Sequence, residues 1–216
     1  IDNAEAIKVA YNTAIGAQIV LANTWMEIAH KMGLDVDVIT NALKMANKRI
    51  AGWKYLSGGA GDGGGCHPRD CIALSYLAKK LDLSYDLFES LMVARQNQTG
   101  WLADLMEEYS ARSKLPMIIL GTSYKPETNL TIGSPSILLK NILESRGNKV
   151  TTYDPYVDGE TSKLPNGPAV FLIGTKHPDF KEYNFPPGSI VLDIWRYIPN
   201  HKEGITIIPV GNPLAA

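Results

Sequence analysis

Six glycines fall between Gly58 and Gly65, and the run ends in Cys66-His67-Pro68-Arg69-Asp70. A main chain with so few side chains lets a ligand approach its N–H groups, and Pro68 suits the first turn of a helix. Cys66 would then stand at that helix's positive end with Arg69 close by, where a thiol is held as thiolate and can act as a nucleophile. Asp70 follows four residues later, so on one helix the thiol and the carboxylate would share a face. The same pattern also describes a buried cysteine in a glycine turn with an aspartate at a helix start. Lys8 and Asn12 are a second pair at i, i+4. They read either as a cation and an amide stabilising an oxyanion or as polar residues on a solvated helix face. Lys125, in Tyr124-Lys125-Pro126, follows the apolar run Met117-Ile118-Ile119-Leu120. Ligands of open α/β sheets bind beyond the carboxyl ends of strands, so Lys125 could meet a phosphate there, or stand in a surface turn. The loop after that strand reads Gly121-Thr122-Ser123-Tyr124, which is not the G-x-G-x-x-G dinucleotide fingerprint. Cys66, His67 and Cys71 lack the second cluster a zinc site requires, so no metal is expected.

The elements that would position these groups follow from the hydrophobic period. Ile7, Tyr11, Ile15, Ile19, Ala22, Met26 and Ala29 keep a helical spacing over 4–32, with Asp2 and Glu5 placed as a capping box. Gly33 stops that helix, Asp35 opens a second over 35–45, and 49–65 reads as a glycine-rich loop. Further helices are predicted over 68–80 and, from an N-cap at Ser84, over 84–110. The period then changes. Strand candidates are 117–120, 149–153, 169–173, 190–192 and 205–208, and Ser134-Pro135 opens a helix that ends at Gly147. This order predicts an all-helical domain over 1–114, then a parallel α/β domain over 115–216, with the boundary near 113–116.

The chain has 216 residues, 45% of them hydrophobic and 20% charged, and a formal net charge of -1. That is the balance of a soluble globular protein able to bury a core. Lys and Arg form no stripe for a phosphate backbone, so nucleic acid is not an expected partner. No segment reaches the roughly 20 apolar residues of a membrane helix and the start lacks the features of a secretory signal, so the expected location is the cytoplasm. Cys66 and Cys71 are too close and too local for a disulfide framework. The chain begins with Ile in what reads as the first turn of a helix, so an upstream segment is expected.

Together these motifs resemble the UDP-glucose/GDP-mannose dehydrogenase family over nearly the whole chain. The family's central-helix pattern Glu-x-x-Lys-x-x-x-Asn is here Glu5, Lys8 and Asn12. Its catalytic loop, aromatic-Leu, then glycines, then Gly-Gly-x-Cys-x-Pro-Lys-Asp, is here Tyr55-Leu56, Gly63-Gly64-Gly65-Cys66 and His67-Pro68-Arg69-Asp70. Its Phe-Lys-Pro-x-Thr, Ser-Pro and Tyr-Asp-Pro elements are Tyr124-Lys125-Pro126-Glu127-Thr128, Ser134-Pro135 and Tyr153-Asp154-Pro155. The chain departs from the pattern in four places. Asp62 stands where an aromatic residue is usual, Arg69 replaces lysine, and the segment between Arg49 and Tyr55 is one residue longer. Ile132-Gly133 replaces an Arg-Glu whose arginine is linked to the cofactor side.

The resemblance implies an enzyme of three parts: an N-terminal NAD-binding domain absent from this chain, an all-helical domain that dimerises through its long helix, and a Rossmann-like domain that binds the nucleotide. It implies NAD as cofactor with its main site in the missing domain, a nucleotide-sugar substrate, a homodimer, and no turnover by this fragment alone. The implied reaction is a four-electron oxidation of the sugar C6 hydroxyl to a carboxylate. UDP-glucose leads as substrate, with other UDP-hexoses, an N-acetylated UDP-hexosamine and GDP-mannose open. Cys66 would hold the aldehyde as a thiohemiacetal and then a thioester, Lys8 and Asn12 would stabilise the oxyanion, and Asp70 would activate water or move protons. Arg49 corresponds to an arginine that reaches substrate across the dimer interface. Tyr55 and the backbone of Gly61, Gly63 and Gly64 would border sugar and pyrophosphate, with Lys125 on the substrate near the domain junction. Two alternatives are a non-catalytic nucleotide-sugar-binding or assembly module, and a sugar-acid dehydrogenase that shares the helical domain but needs no cysteine. The intact set Lys8, Asn12, Cys66 and Asp70 argues against the first, and Cys66 discriminates the second.

Overall fold

The computed structural model describes residues 2–46, 57–61, 64–80, 82, 86–159, 166–199 and 202–212. Four helices come first: α1 Asp2–Met32, α2 Val36–Met45, α3 Cys66–Lys80 and α4 Leu87–Ser113. α1 begins at Asp2, the first described residue. It ends where Gly33 takes a left-handed φ of 69° and the Leu34 N–H donates to the Ala29 carbonyl. Asp35 caps α2 by accepting the Asp37 and Val38 N–H groups at 2.8 and 3.2 Å. Ser84 lies outside the described residues; the cap of α4 is Asp86, whose carboxylate accepts the Glu89 N–H at 2.9 Å. α4 then runs unbroken through Gly100 and past Ser110. The apolar stripe of α1 divides: Ile15, Ala22, Met26 and Ala29 are buried, while Ile7 and Tyr11 are 69% and 61% exposed.

The remaining elements are β1 Met117–Leu120, α5 Pro135–Ser145, β2 Val150–Tyr153, β3 Val170–Ile173, α6 Pro178–Glu182, β4 Ile190–Asp193 and β5 Thr206–Pro209. The five strands form one parallel sheet in the order β2-β1-β3-β4-β5, with Met117 level with Val150 on one side and Val170 on the other. The chain leaves β1 for β2 on one side and returns to β3 on the other. The crevice between the carboxyl ends of β1 and β3 is therefore the topological switch point, where such sheets take ligands.

Alternation along the strands gives two cores. Met117, Ile119, Val170, Leu172 and Leu192 pack with Leu102, Leu105 and Met106 of α4, Leu139 and Leu143 of α5, and Met26, Ala29 and Val36 from α1 and α2. Ile118, Leu120, Phe171, Ile173 and Val191 pack on the other face with Phe180, Phe185 and Ile198. The first core runs from α1 to the sheet without a polar gap, with α4 common to the helical layer and the sheet. Burial of each such large side chain stabilises by about 1.5–3 kcal/mol, which holds the helices against this face of the sheet. No helix among the described residues is long and apolar enough to cross a membrane.

Candidate functional site

Lys8 and Asn12 lie one turn apart on α1, and both reach the same atom. Lys8 Nζ and Asn12 Nδ2 donate to Oδ2 of Asp70 at 2.8 and 2.7 Å, while Arg69 Nε donates to Oδ1 at 3.0 Å. Asp70 is 5% exposed, so burial works to raise its carboxyl. The hydrogen bonds from Lys8, Asn12 and Arg69 outweigh burial and hold it well below the usual carboxylate range. An ammonium and an amide that converge on one anionic oxygen are the donor pair an oxyanion needs, and each keeps a further N–H for a second acceptor. Cys66 is the first residue of α3 and is exposed; Cys71 on the same helix is buried. Cys66 and Asp70, at i and i+4, stand about 6 Å apart on one helical face. The structure thus brings Lys8, Asn12 and Asp70 into direct contact, with the thiol one turn away.

The glycines before Cys66 are less open than the composition suggests. Gly61 and Gly64 are buried with φ of 71° and 102°. A Cβ on them would lie 2.8 Å from the Pro135 ring and 2.7 Å from the Tyr124 ring. These residues serve close packing of the loop on the sheet's strand ends. Gly133 meets the loop from the other side at φ 77°, where a Cβ would be 2.4 Å from the Gly65 nitrogen. The glycine of the departure Ile132-Gly133 therefore has a local reason: only a bare α-carbon fits against the main chain beside Cys66.

Three side chains that sequence reasoning does not single out clamp this loop. Asn23 accepts the Gly59 N–H at 2.9 Å and donates to the Gly61 carbonyl at 2.8 Å, and Gln98 donates to the Gly59 carbonyl at 3.1 Å. Arg196 Nη2 donates to the Gly58 carbonyl at 2.9 Å. The same guanidinium donates to Asp37 at 2.7 Å and to the Ile194 and Val210 carbonyls at 2.6 and 3.0 Å. The turn that presents Arg196 is built by Asp193, which accepts the N–H groups of residues 195–198 at the end of β4. Asn23 carries the one sequence signal: eleven residues after Asn12, it returns to the same face of α1.

At the switch point a cavity of about 200 Å³ is lined by Tyr124, Lys125, Pro135, Thr175, Lys176 and Trp195. Trp195 Nε1 is buried with no hydrogen-bond partner among the described residues. The space suits a phosphate or a single ring, below the roughly 300 Å³ of a full small-molecule site. Gly61 and Gly64 pack on two of its walls, Pro135 and Tyr124. From Gly64 to Cys66 is two residues, no more than about 7 Å of chain, so the loop links this cavity to the Asp70 cluster. Dinucleotide binding at this strand end does not fit. The Thr122 and Ser123 N–H groups, which would face a pyrophosphate, donate instead to Asp154 at 2.7 and 2.8 Å. Arg49, Tyr55 and Gly63, like Asp62, lie outside the described residues.

Fold and site place the chain among doubly wound α/β proteins that carry a helical module packed on the sheet. It belongs to the UDP-glucose/GDP-mannose dehydrogenase family: residues 2–98 match the family's central domain and residues 118–200 its UDP binding domain. Over 156 residues it is 30% identical to UDP-glucose 6-dehydrogenase YwqF of Bacillus subtilis, an overlap of 72% of this chain and 35% of that protein. It is also 30% identical over 192 residues to UDP-N-acetyl-D-mannosamine dehydrogenase of Pyrococcus horikoshii, covering 84% of this chain and 44% of the relative. The solved UDP-D-ManNAc dehydrogenase of Pyrococcus horikoshii superposes with a TM-score of 0.78 at 27% identity, over 98% of this chain and 52% of that one. The chain thus spans between about a third and a half of the relatives it matches.

Proposed function

We propose that this chain supplies the nucleophile and the nucleotide-holding surface of an NAD-dependent nucleotide-sugar 6-dehydrogenase, with UDP-glucose as the leading substrate. The observation that carries this reading is the convergence of Lys8 and Asn12 on one oxygen of Asp70, a helical turn from an exposed Cys66. NAD, when bound, supplies the hydride acceptor for the oxidations, and its cradle is not among the described residues. The Cys66 thiolate adds to the C6 aldehyde carbon, and the carbonyl electron pair moves onto oxygen, where the remaining N–H groups of Lys8 and Asn12 receive it. At the thioester stage, reached when the C6 hydrogen has left as hydride, water attacks the acyl carbon and releases its protons to solvent, the same donors hold the oxyanion, and its collapse breaks the C–S bond so that the cysteine leaves as thiolate. A carboxylate held as low as Asp70 is a weak base, so it serves here chiefly to aim Lys8 and Asn12.

In this reading the lysine-lined cavity takes a phosphate of the substrate through Lys125, and the sugar reaches Cys66 along Gly61 to Gly64. Residues 1–114 and 115–216 act as two domains. The exposed apolar side chains Ile7, Tyr11, Val38, Met45, Ile72 and Tyr76 of the helical layer are covered by a second copy in a homodimer that works in the cytoplasm. Arg49 reaches the substrate across that interface.

The test is alkylation of Cys66, followed by mass spectrometry, in the presence and absence of UDP-glucose, with GDP-mannose and an N-acetylated UDP-hexosamine alongside. Protection by one nucleotide sugar names the substrate. Tight binding of a nucleotide sugar that leaves Cys66 fully reactive would contradict a role for the thiol.

A further inference from the structure

Ser123 after β1, Asp154 after β2 and His177 after β3 form a buried polar group that no step above uses, with exposures of 1%, 0% and 0%. The residue types suggest a hydrolytic triad, but in a triad one ring nitrogen faces the carboxylate and the other the hydroxyl. Here Nε2 of His177 stands 3.1 Å from both Ser123 Oγ and Asp154 Oδ2, and Nδ1 accepts the Glu127 N–H at 3.1 Å. With Nδ1 an acceptor, Nε2 is the nitrogen that carries the proton. The bonds of this group converge on one short loop. Asp154 takes the Thr122 and Ser123 N–H groups, Ser123 Oγ donates to the Lys125 carbonyl at 3.0 Å, and Thr175 Oγ1 donates to the Ser123 carbonyl at 2.6 Å. Glu127 sits at a left-handed φ of 56°, a conformation that a non-glycine residue keeps only when its surroundings enforce it. Tyr156 stacks on the imidazole at 4.6 Å with its hydroxyl on Asp179, Phe180 meets the ring edge-on at 5.4 Å, and Tyr197 donates to the His177 carbonyl at 3.0 Å, so both the ring and its main chain are held.

We propose that His177 is a positioning residue for Lys125: as the Nε2–H tautomer it fixes the turn on both sides, at Ser123 before it and at Glu127 after it. The Lys125 main chain is thereby held beside the switch-point cavity, from where its side chain can meet a phosphate of the nucleotide sugar. This rests on the nucleotide-sugar reading of that cavity. With the turn fixed in advance, only the lysine side chain remains to be ordered on binding.

A double-mutant cycle on UDP-glucose binding, read by calorimetry on the full chain, tests it. Lys125→Ala lowers affinity about tenfold, the worth of one charge-assisted contact to phosphate. His177→Phe, which keeps the ring and its stacking, and the milder Ser123→Ala each lower it about threefold or more. In the Lys125→Ala background neither adds a further loss, because both act through Lys125. Additive losses, or binding unchanged in His177→Phe while Lys125→Ala weakens it, would overturn the proposal. Nitrogen NMR of the ring in the unaltered chain is a second measurement that does not depend on a buried variant folding: a proton on Nε2 supports the assignment and one on Nδ1 sinks it. An unaltered chain that binds no nucleotide sugar would refute the reading of the cavity itself, an outcome distinct from additive losses in a chain that binds.

Discussion

Gly133→Ala tests how the loop before Cys66 is held. The new Cβ would lie 2.4 Å from the Gly65 nitrogen, 2.6 Å from its Cα and 2.9 Å from the Gly64 carbonyl carbon. All three are main-chain atoms, so no rotamer change relieves the overlap, and one loop must retreat by about 1 Å to reach ordinary contact. Gly147 is the matched control: its φ of 84° is close to the 77° of Gly133, and a Cβ there meets nothing within 4 Å. Gly147→Ala therefore bears only the left-handed backbone cost of about 1–2 kcal/mol, and the effect of Ala on the unfolded chain is common to both. Gly133→Ala adds the steric term of an overpacked site, about 1–3 kcal/mol. Thermal unfolding should show the control down by about 2–8 °C and Gly133→Ala lower by about 2–12 °C more, for a chain of this size. Alkylation of Cys66 should change rate in Gly133→Ala alone. Equal melting temperatures and equal alkylation rates for the two variants would refute the close approach.

Other outcomes follow from the same contacts. Arg196→Lys keeps the charge but loses the fork that serves Gly58, Ile194, Val210 and Asp37, and should cost about 3 kcal/mol in urea unfolding. Asn23→Ala leaves the Gly59 N–H and the Gly61 carbonyl buried without their partner, an expected loss of about 2–4 kcal/mol by the same measurement. Burial raises the Asp154 carboxyl, but hydrogen bonds from His177, Ser123, Thr122 and Tyr156 hold it well below its ordinary value, as those on Asp70 do. Both therefore contribute stability that is present above about pH 4 and lost as pH falls toward their folded values. Asp193, pushed up by burial, acts in the opposite sense. Melting temperature should fall on acidification from about pH 5 to about pH 2, and fall less steeply in Asp154→Asn.

What could be read from the sequence was what local spacing determines. The pairs Lys8 with Asn12 and Cys66 with Asp70 were legible because i, i+4 residues share a face whatever the rest of the fold does. All five strands were recognisable as short strand-forming runs, apolar in all but β2 with its Val150-Thr151-Thr152-Tyr153, and the parallel sheet followed from their alternation with helices and loops. That Lys8 and Asn12 meet Asp70 is a long-range fact that period cannot show; family likeness implied only that they serve one site. The clamp of Asn23, Gln98 and Arg196 was illegible for the same reason: these side chains bind main chain far off in sequence, and main-chain groups leave no residue-type signal. His177 was hidden likewise, and the five-residue α6 beside it is too short to show a period. Glycine was the ambiguous letter, since exposure of main chain to a ligand and packing against Pro135 or Tyr124 both require it. Ile7 and Tyr11 keep the apolar stripe of α1 yet are exposed, because period reports which face is apolar and not what covers it.

The central claim, a four-electron oxidation through Cys66, is tested most directly by the stoichiometry of NADH formed per UDP-glucose consumed by the full-length protein, wild type beside Cys66→Ala. Two NADH per sugar in the wild type, with UDP-glucuronate formation lost in Cys66→Ala, is the predicted result. Undiminished conversion to the acid in Cys66→Ala, or no NADH despite tight binding of the nucleotide sugar, would contradict it.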